Sequence, residues 1–348
     1  MTALASLSLE ELTSVLTEEF AVPKYRAKQI YEHIIRHNDY DEMSNVPLTL
    51  RNALKEKYLA QCVKIEKKFV SVDGTEKFLY ALSDGNVIEG AFMKQSYGNT
   101  LCVSTQVGCR MGCAFCASGI GGLVRNLTAG EMLSQVLAVN REAGGTKEKR
   151  AVTNVVLMGS GEPLDNYDEV VKFIRLLSSP DGLNISERNI SLSTSGILEN
   201  VRRLADDGLS VTLTFSLHAS SDEARRRIMP IANKYTMKEL IDTAKYYFEK
   251  TGRRVIFEYT MIKGENINHF DAKRLSEMLK GFPCHVNLIP LNPVKEKNLK
   301  GCTKEEGERF MKKLIDMGVS ATIRKSKGAD IAGACGQLRR SYLSGEKR

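Results

Sequence analysis

Leu101-Cys102-Val103-Ser104-Thr105-Gln106-Val107-Gly108-Cys109-Arg110-Met111-Gly112-Cys113-Ala114-Phe115-Cys116 passes without a break from a strand-like stretch into a cysteine loop. Residues 101–105 read as a strand, and the loop behind them spaces three thiols as C-x3-C-x2-C. Thr128 and Glu131 then form a capping-box pattern that opens a helix, and Gly144-Gly145 closes it. Strand, loop and helix in that order make one βα unit. Further strand patterns recur at 152–158, 189–193, 210–217, 254–261, 285–289 and 320–324, with helices between them. The clearest helix covers 238–250, with Leu240, Ile241, Ala244, Tyr247 and Phe248 on one stripe and Gly252 behind it. Repeated βα units predict a parallel sheet covered by helices. About six units suit an open barrel better than a closed eight-fold one, and either architecture puts its site at the C-terminal ends of the strands.

Residues 1–90 read as a separate accessory module ahead of a catalytic barrel over 91–348. Ser8 and Glu11 make a capping box before Leu12, Val15 and Leu16; Pro23 stops that helix; Ile30, Ile34 and Ile35 mark a second, and a third follows near Leu48. Phe69-Val70-Ser71-Val72, a turn at Asp73-Gly74 and Phe78-Leu79-Tyr80-Ala81 read as strands.

The chain has 348 residues, 8 cysteines and a formal charge of +8. No window has the length and apolarity of a membrane span, and the N-terminus lacks the basic start of a signal peptide, so a cytoplasmic protein is expected. Thiols stay reduced in that compartment, which favours metal or catalytic roles over structural disulfides. From Val294 onward 14 Lys/Arg stand against 7 Asp/Glu, nearly the whole charge excess. Such a segment can neutralise phosphates, or simply solvate a surface. Lys24, Arg26, Lys28, Arg36 and Arg225-Arg226-Arg227 are further cations expected to meet phosphates.

Cys109, Cys113 and Cys116 on one short loop can converge on a cube-shaped [4Fe–4S] cluster. Zinc needs four ligands for a closed site, and no fourth Cys or His lies nearby. A three-ligand cluster leaves one iron open, where S-adenosylmethionine (SAM) can chelate through its amino and carboxylate groups and be cleaved to a 5′-deoxyadenosyl radical. Phe115, between the last two thiols, would shield the cluster. The alternative is a zinc loop or three unrelated buried cysteines.

The cysteine loop, Met158-Gly159-Ser160-Gly161-Glu162-Pro163-Leu164, Ser193-Thr194-Ser195-Gly196, Phe215-Ser216-Leu217-His218-Ala219, Asn287-Leu288-Ile289-Pro290-Leu291-Asn292-Pro293 and Ala334-Cys335-Gly336-Gln337-Leu338 occur in this order. Together with Tyr25-Arg26-Ala27-Lys28-Gln29-Ile30, they make the chain resemble, over nearly its whole length, radical SAM RNA methyltransferases of the RlmN/Cfr group. The resemblance implies an α/β fold, a partial (βα)6 radical SAM barrel with a small N-terminal helical accessory domain. It implies methylation of C2 of an adenine in the peptidyl-transferase region of 23S rRNA, and of adenine 37 in certain tRNAs. Gly161-Glu162-Pro163-Leu164-Asp165-Asn166 resembles the RlmN branch rather than the C8-methylating Cfr branch. Two departures are Ser160, where a bulkier residue is usual, and 331–334, where the group usually has an Asp.

By resemblance, Gly161, Glu162, Ser193, Ser216, Leu217, His218 and Asn292 contact SAM. C2 of adenine has no lone pair to attack a methyl, so simple SN2 transfer fails there. The group's answer is covalent. One SAM methylates Cys335, a radical from a second SAM activates that methyl, and Cys102 resolves the adduct by forming a disulfide with Cys335. Glu89 matches the proton acceptor; otherwise it is an ordinary strand-end carboxylate. Cys62, Cys284 and Cys302 match no role and read as packing. The partners implied are 23S rRNA, tRNA and a flavodoxin-like electron donor, with a monomer expected. A glycyl-radical activase would share the cluster but has no use for paired Cys102 and Cys335. An RNA-binding or ribosome-assembly protein with a structural metal would not cleave SAM.

Overall fold

The computed structural model describes residues 1–292, 299–331 and 337–343. A short strand β1 (Thr2–Ala3) precedes α1 (Leu9–Glu19), α2 (Tyr25–Ile35) and α3 (Leu48–Lys57), and β1 pairs with β2 (Tyr58–Leu59). The capping box forms as its spacing predicts. Ser8 Oγ accepts from Glu11 N at 3.1 Å, and Ser8 N donates to Glu11 Oε2 at 2.7 Å. Such a cap contributes about 1 kcal/mol. Leu12 and Leu16 of α1 and Ile30 and Ile34 of α2 are buried in the same core cluster as the rest of the chain.

Three strands follow in antiparallel array, β3 (Val63–Val70), β4 (Glu76–Leu82) and β5 (Val87–Met93). β5 then pairs with β6 (Thr100–Cys102), and the polypeptide makes a hairpin, β7 (Gln106–Gly108) with β8 (Leu123–Asn126). From β6 the βα rhythm begins: α4 (Ala129–Glu142), β9 (Asn154–Leu157), α5 (Tyr167–Ser178), β10 (Ile190–Thr194), α6 (Leu198–Asp206) and β11 (Thr212–Ser216). It continues with α7 (Asp222–Ile228), α8 (Met237–Thr251), β12 (Val255–Met261), α9 (His269–Leu279), β13 (Cys284–Pro290), α10 (Lys304–Asp316), β14 (Ala321–Ile323) and α11 (Gln337–Leu343).

All these strands except the β1–β2 pair and the β7–β8 hairpin form one 10-stranded sheet, ordered β14-β13-β12-β11-β10-β9-β6-β5-β4-β3. Strands β6 and β9 to β14 are mutually parallel. The six units from β6 to α10 make the partial barrel; β14 is one further parallel strand. The sheet does not close, because β14 and β3 are its two ends. The boundary drawn at residue 90 falls inside β5, which couples the antiparallel strands to the parallel ones.

Register decides what faces the barrel interior. Paired residues share a face, and Cys102 pairs Val156, Val156 pairs Ser191, Ser193 pairs Thr214, Ser216 pairs Glu258, and Glu258 pairs Asn287. That face is polar. The alternate residues Leu192, Leu213, Phe215, Phe257, Val286 and Leu288 are fully buried in the apolar core. A sheet with one dry face and one polar interior face can bind a polar molecule at its strand ends.

The N-terminal helices are seated on α4. Gly130 of α4 has no room for a Cβ, which would meet Ser6 N at 2.7 Å. Arg141 Nη2 lies 2.6 Å from Glu42 Oε1, and Arg141 Nη1 donates to His37 O at 2.7 Å. Among the described residues no helix is long and apolar enough to cross a membrane.

Candidate active site

The hairpin β7–β8 closes the loop that carries the three thiols. Gly108 has φ +84°, and a Cβ there would overlap Gly122 O, so only glycine fits. Cys109 N donates back to Gly122 O at 3.0 Å, Cys116 N to Cys113 O at 3.2 Å, and Ala114 N to Ile228 O at the end of α7 at 2.8 Å. Phe115 lays its ring against His218 edge-on, centroids 4.6 Å apart. Cys109 is buried, and Cys113 and Cys116 are partly so. Burial lifts the Cys109 thiol to about 12 and pushes Cys113 up as well, with neighbouring thiolates and Glu162 adding to it. Bound metal reverses that balance, because its positive charge replaces the proton.

Among the described residues, no three His, Cys, Asp or Glu side chains close around a single ion. A mononuclear zinc site is therefore not preformed. The three thiols nevertheless act on one another electrostatically on one loop. A cube, with a separate iron at each ligated corner, holds its thiolates farther apart than one ion does. The donor set of three cysteines without a fourth ligand fits such a cluster.

Next to the loop stands the turn after β9. Gly161 has φ +117°, and a Cβ there would meet Thr105 Oγ1 at 2.5 Å and Gln106 N at 2.8 Å. Glu162 is buried, and its carboxylate accepts from Thr194 Oγ1 at 2.7 Å, Ser195 N at 2.7 Å and Leu164 N at 3.1 Å. A carboxylate offers about four acceptor positions, so these bonds leave room for one further donor. Burial raises its pKa, against those hydrogen bonds. Glu162 thus ties the end of β9 to the end of β10, a job that its sequence context does not reveal.

Ser193 Oγ donates to Glu258 Oε2 at 3.1 Å. Leu217 N and His218 N both donate to Glu258 O, at 3.0 and 3.2 Å. His218 has φ +56°, and its Nδ1 accepts from Thr260 N at 2.9 Å. Burial, then the charge of Arg225, lowers its pKa to about 3, so the ring is neutral and its orientation set. Asn292 is exposed at the edge of the described residues, and Cys335 lies outside them.

Among the described residues, four buried oxygens at or near these strand ends have no hydrogen-bond partner: Thr105 Oγ1, Ser195 Oγ, Thr214 Oγ1 and Glu258 Oε1, the last 3.6 Å from Arg324 Nη1. An unsatisfied buried polar group costs about 1–3 kcal/mol. A set of them on the polar face fits a hydroxyl- and amine-bearing ligand such as SAM.

Cys102 is buried on β6, its Sγ 3.6 Å from Gly159 O. Glu89 shares its face of the sheet through the Ala91–Cys102 pairing. It is a mid-strand residue of β5 rather than a strand-end one, buried and 3.2 Å from Lys77 Nζ. Its Oε2 also accepts from Arg339 N at 2.7 Å, and Arg339 Nε donates to Val87 O at 2.6 Å. Helix α11, which begins two residues after Cys335, is therefore docked on the Glu89 strand. On the other side of that segment, Asp330 accepts from Ser71 Oγ at 2.5 Å and Val72 N at 3.2 Å, and Gly328 N donates to Asp73 Oδ2 at 3.1 Å.

Removing one member of a buried ion pair costs about 3–5 kcal/mol. Lys77→Met should lower unfolding stability by that amount in urea, whereas the double variant Lys77→Met with Glu89→Leu should recover much of it. Equal stabilities for the single variant and the unmodified chain would mean that the pair contributes nothing.

Two expectations about cations need correction. Arg225 is not an RNA contact: it is 1% exposed, while Arg226 and Arg227 are exposed. Arg339 is turned inward on Val87. Lys24, Lys28 and Arg36 are exposed and Arg26 is partly so, bonded to Gln29 and Asn45. Cys62 packs against Ser134, 3.2 Å between Sγ and Oγ, and Cys284 is buried. Lys77, Arg225 and Glu258 were not singled out for the site by sequence reading. The only available signal was their placement in otherwise apolar strands or beside a strand end.

The family model described as the radical SAM superfamily matches residues 103–273. The chain is 47% identical over 346 residues to the "Probable dual-specificity RNA methyltransferase RlmN" of Clostridium novyi (strain NT), covering 99% of each. It is 49% identical over 340 residues to the protein of the same name from Lachnoclostridium phytofermentans, covering 97% of this chain and 94% of that one. The crystal structure of a radical SAM methyltransferase from Sphaerobacter thermophilus superposes with a TM-score of 0.92 at 42% identity, covering 97% of this chain and 99% of that one. With full-length identity at this level, the partial barrel and the cysteine loop in place, the chain belongs to the RlmN family of radical SAM methyltransferases.

Proposed function

We propose that this enzyme methylates C2 of an adenine in the peptidyl-transferase region of 23S rRNA and C2 of adenine 37 in certain tRNAs, through a methylated Cys335 and two SAM per turnover. The observation that carries this reading is the shared interior face of Cys102 and Glu89, with the helix that follows Cys335 docked on Glu89. An enzyme that uses SAM only to make a free radical needs neither a buried second thiol nor a carboxylate in that position.

In this reading Cys109, Cys113 and Cys116 would hold the cluster, which would supply the electron for reductive cleavage of SAM to a 5′-deoxyadenosyl radical. Gly161 lets the backbone approach SAM, and Glu162 accepts from its amino group with its remaining lone pair. Ser193, Ser216, Leu217, His218 and Asn292 complete the SAM site. Cys335 takes the first methyl; loss of a hydrogen from that methyl leaves the carbon that adds to C2. The resulting radical adduct would return its unpaired electron to the cluster as Glu89 takes the C2 proton. Cys102 attacks Cys335 sulfur, the bond between that sulfur and the methylene carbon breaks, the carbon takes a proton to complete the methyl, and a disulfide remains to be reduced by an external donor. Residues 1–90, with Lys24, Lys28 and Arg36 on their surface, serve as the RNA-contacting module. A target adenine must be unstacked to reach the strand ends.

Nucleoside digests of RNA treated with the reconstituted enzyme should contain 2-methyladenosine. Finding 8-methyladenosine alone would move the activity to the other ring carbon and overturn the proposal.

A further inference from the structure

Arg225 is the largest of the fully buried side chains. It forms no ion pair with a carboxylate among the described residues. Its guanidinium instead donates to three backbone carbonyls, Ser195 O at 2.7 Å, Ser216 O at 3.1 Å and Leu217 O at 3.3 Å. These belong to the ends of β10 and β11, where SAM contacts are proposed. Burying a charge without an opposing charge is expensive. Carbonyl dipoles offset only part of that cost, so a retained buried cation points to an anion elsewhere in the site.

The cysteine loop is the adjacent source of negative charge. Helix α7, which carries Arg225, accepts Ala114 N of that loop on Ile228 O at 2.8 Å. Cys113, Ala114 and Phe115 pack with Ala224, Ile228 and Met229 in one small apolar cluster. Arg225 stands on α7 next to Ala224 and one turn before Ile228, the residues that meet the loop, so its buried charge lies on the helix packed against Cys113. Burial draws the guanidinium down to about 10, which leaves it charged at neutral pH. Asp222, on the same helix, adds a weaker stabilising charge without an ion-pair contact and accepts from Met237 N at 2.7 Å, and Glu162 is held by its own three donors.

We propose that Arg225 is a positioning residue for the iron–sulfur centre: its buried charge behind Cys113 makes the cluster easier to reduce while its three hydrogen bonds hold the β10 and β11 ends. The physical reason is short. Reduction adds a negative charge to a cluster already ligated by three thiolates, in a dry environment where a nearby cation interacts strongly. This inference rests on the cluster reading, and its test separates the two.

Full-length protein is reconstituted anaerobically, and iron, sulfide and the midpoint potential are measured by titration followed by electron paramagnetic resonance. Arg225→Gln keeps donors for the carbonyls but removes the charge. Arg225→Lys keeps the charge and loses the fork. Arg225→Gln should bind a full complement of iron and need about a tenfold larger driving ratio for reduction, about 59 mV more negative for one electron. Arg225→Lys should stay closer to the unmodified potential than Arg225→Gln does. An unmodified chain that takes up no iron would overturn the cluster reading itself. A full cluster in Arg225→Gln at the unmodified potential overturns only the role of Arg225. So does loss of iron in both variants, which would assign the residue to holding the strand ends alone; thermal melts of the metal-free variants check that both fold.

Discussion

Cys109→Ala, Cys113→Ala and Cys116→Ala should each lose the proposed cluster, and methyl transfer should fall to background in all three. The unmodified protein, reconstituted without oxygen, should carry about four iron and four sulfide. The effect is all-or-none because two thiolates from one loop cannot hold a cube whose fourth iron must stay open for SAM. The scaffold around the loop survives the substitution. Gly108 still closes against Gly122, and Ala114 N still reaches Ile228 O, since neither contact uses a sulfur. Far-ultraviolet circular dichroism and thermal melts of the metal-free chains should therefore superpose. Stoichiometric zinc with no iron in the unmodified protein would sink the iron–sulfur assignment.

Cys335→Ala and Cys102→Ala both stop turnover, but at different points. Without Cys335 no methyl is accepted, so no RNA adduct forms. Without Cys102 the methyl is accepted and the base attacked, but the carbon–sulfur bond to Cys335 is not released. RNA should then accumulate covalently attached to the protein through a methylene bridge, visible on a denaturing gel. After nuclease digestion, mass spectrometry should find an adenosine-bearing Cys335 peptide in Cys102→Ala only. The buried position of Cys102 on β6, facing the barrel interior beside Gly159, suits a thiol that meets one partner rather than solvent. Normal turnover by Cys102→Ala with no adduct would return Cys102 to a packing role and put Cys62, Cys284 or Cys302 in question. Of these, Cys62 is buried and engaged with Ser134 of α4, so it is a poor substitute.

Local chemistry was legible wherever it depended on neighbours in the chain. Ser8 with Glu11 and Thr128 with Glu131 both form complete capping boxes. Gly252 ends α8 in the left-handed region at φ +64°. The parallel order of the six βα units followed from their rhythm alone. By contrast, Arg225 in a run of three arginines reads as a surface cation, and tertiary packing made it the innermost of them. Glu258, in Val-Ile-Phe-Glu-Tyr-Thr-Met, carries no mark that its side chain faces inward, because both faces of a barrel strand are covered. Lys77 and Glu89 lie twelve residues apart on neighbouring antiparallel strands, and only the β4–β5 register brings them together.

By itself, then, the sequence determined the spacing of the three loop cysteines, the strand–helix alternation and the family, since spacing within a loop and periodicity within an element are properties of consecutive residues. The tertiary structure alone decided which polar residues share the barrel interior, how Glu162 and Arg225 join the ends of β9, β10 and β11, and that the helix after Cys335 docks on Glu89. Those facts depend on strand register and on desolvation. Both arise only when segments distant in the chain pack against one another and take their polar groups out of water.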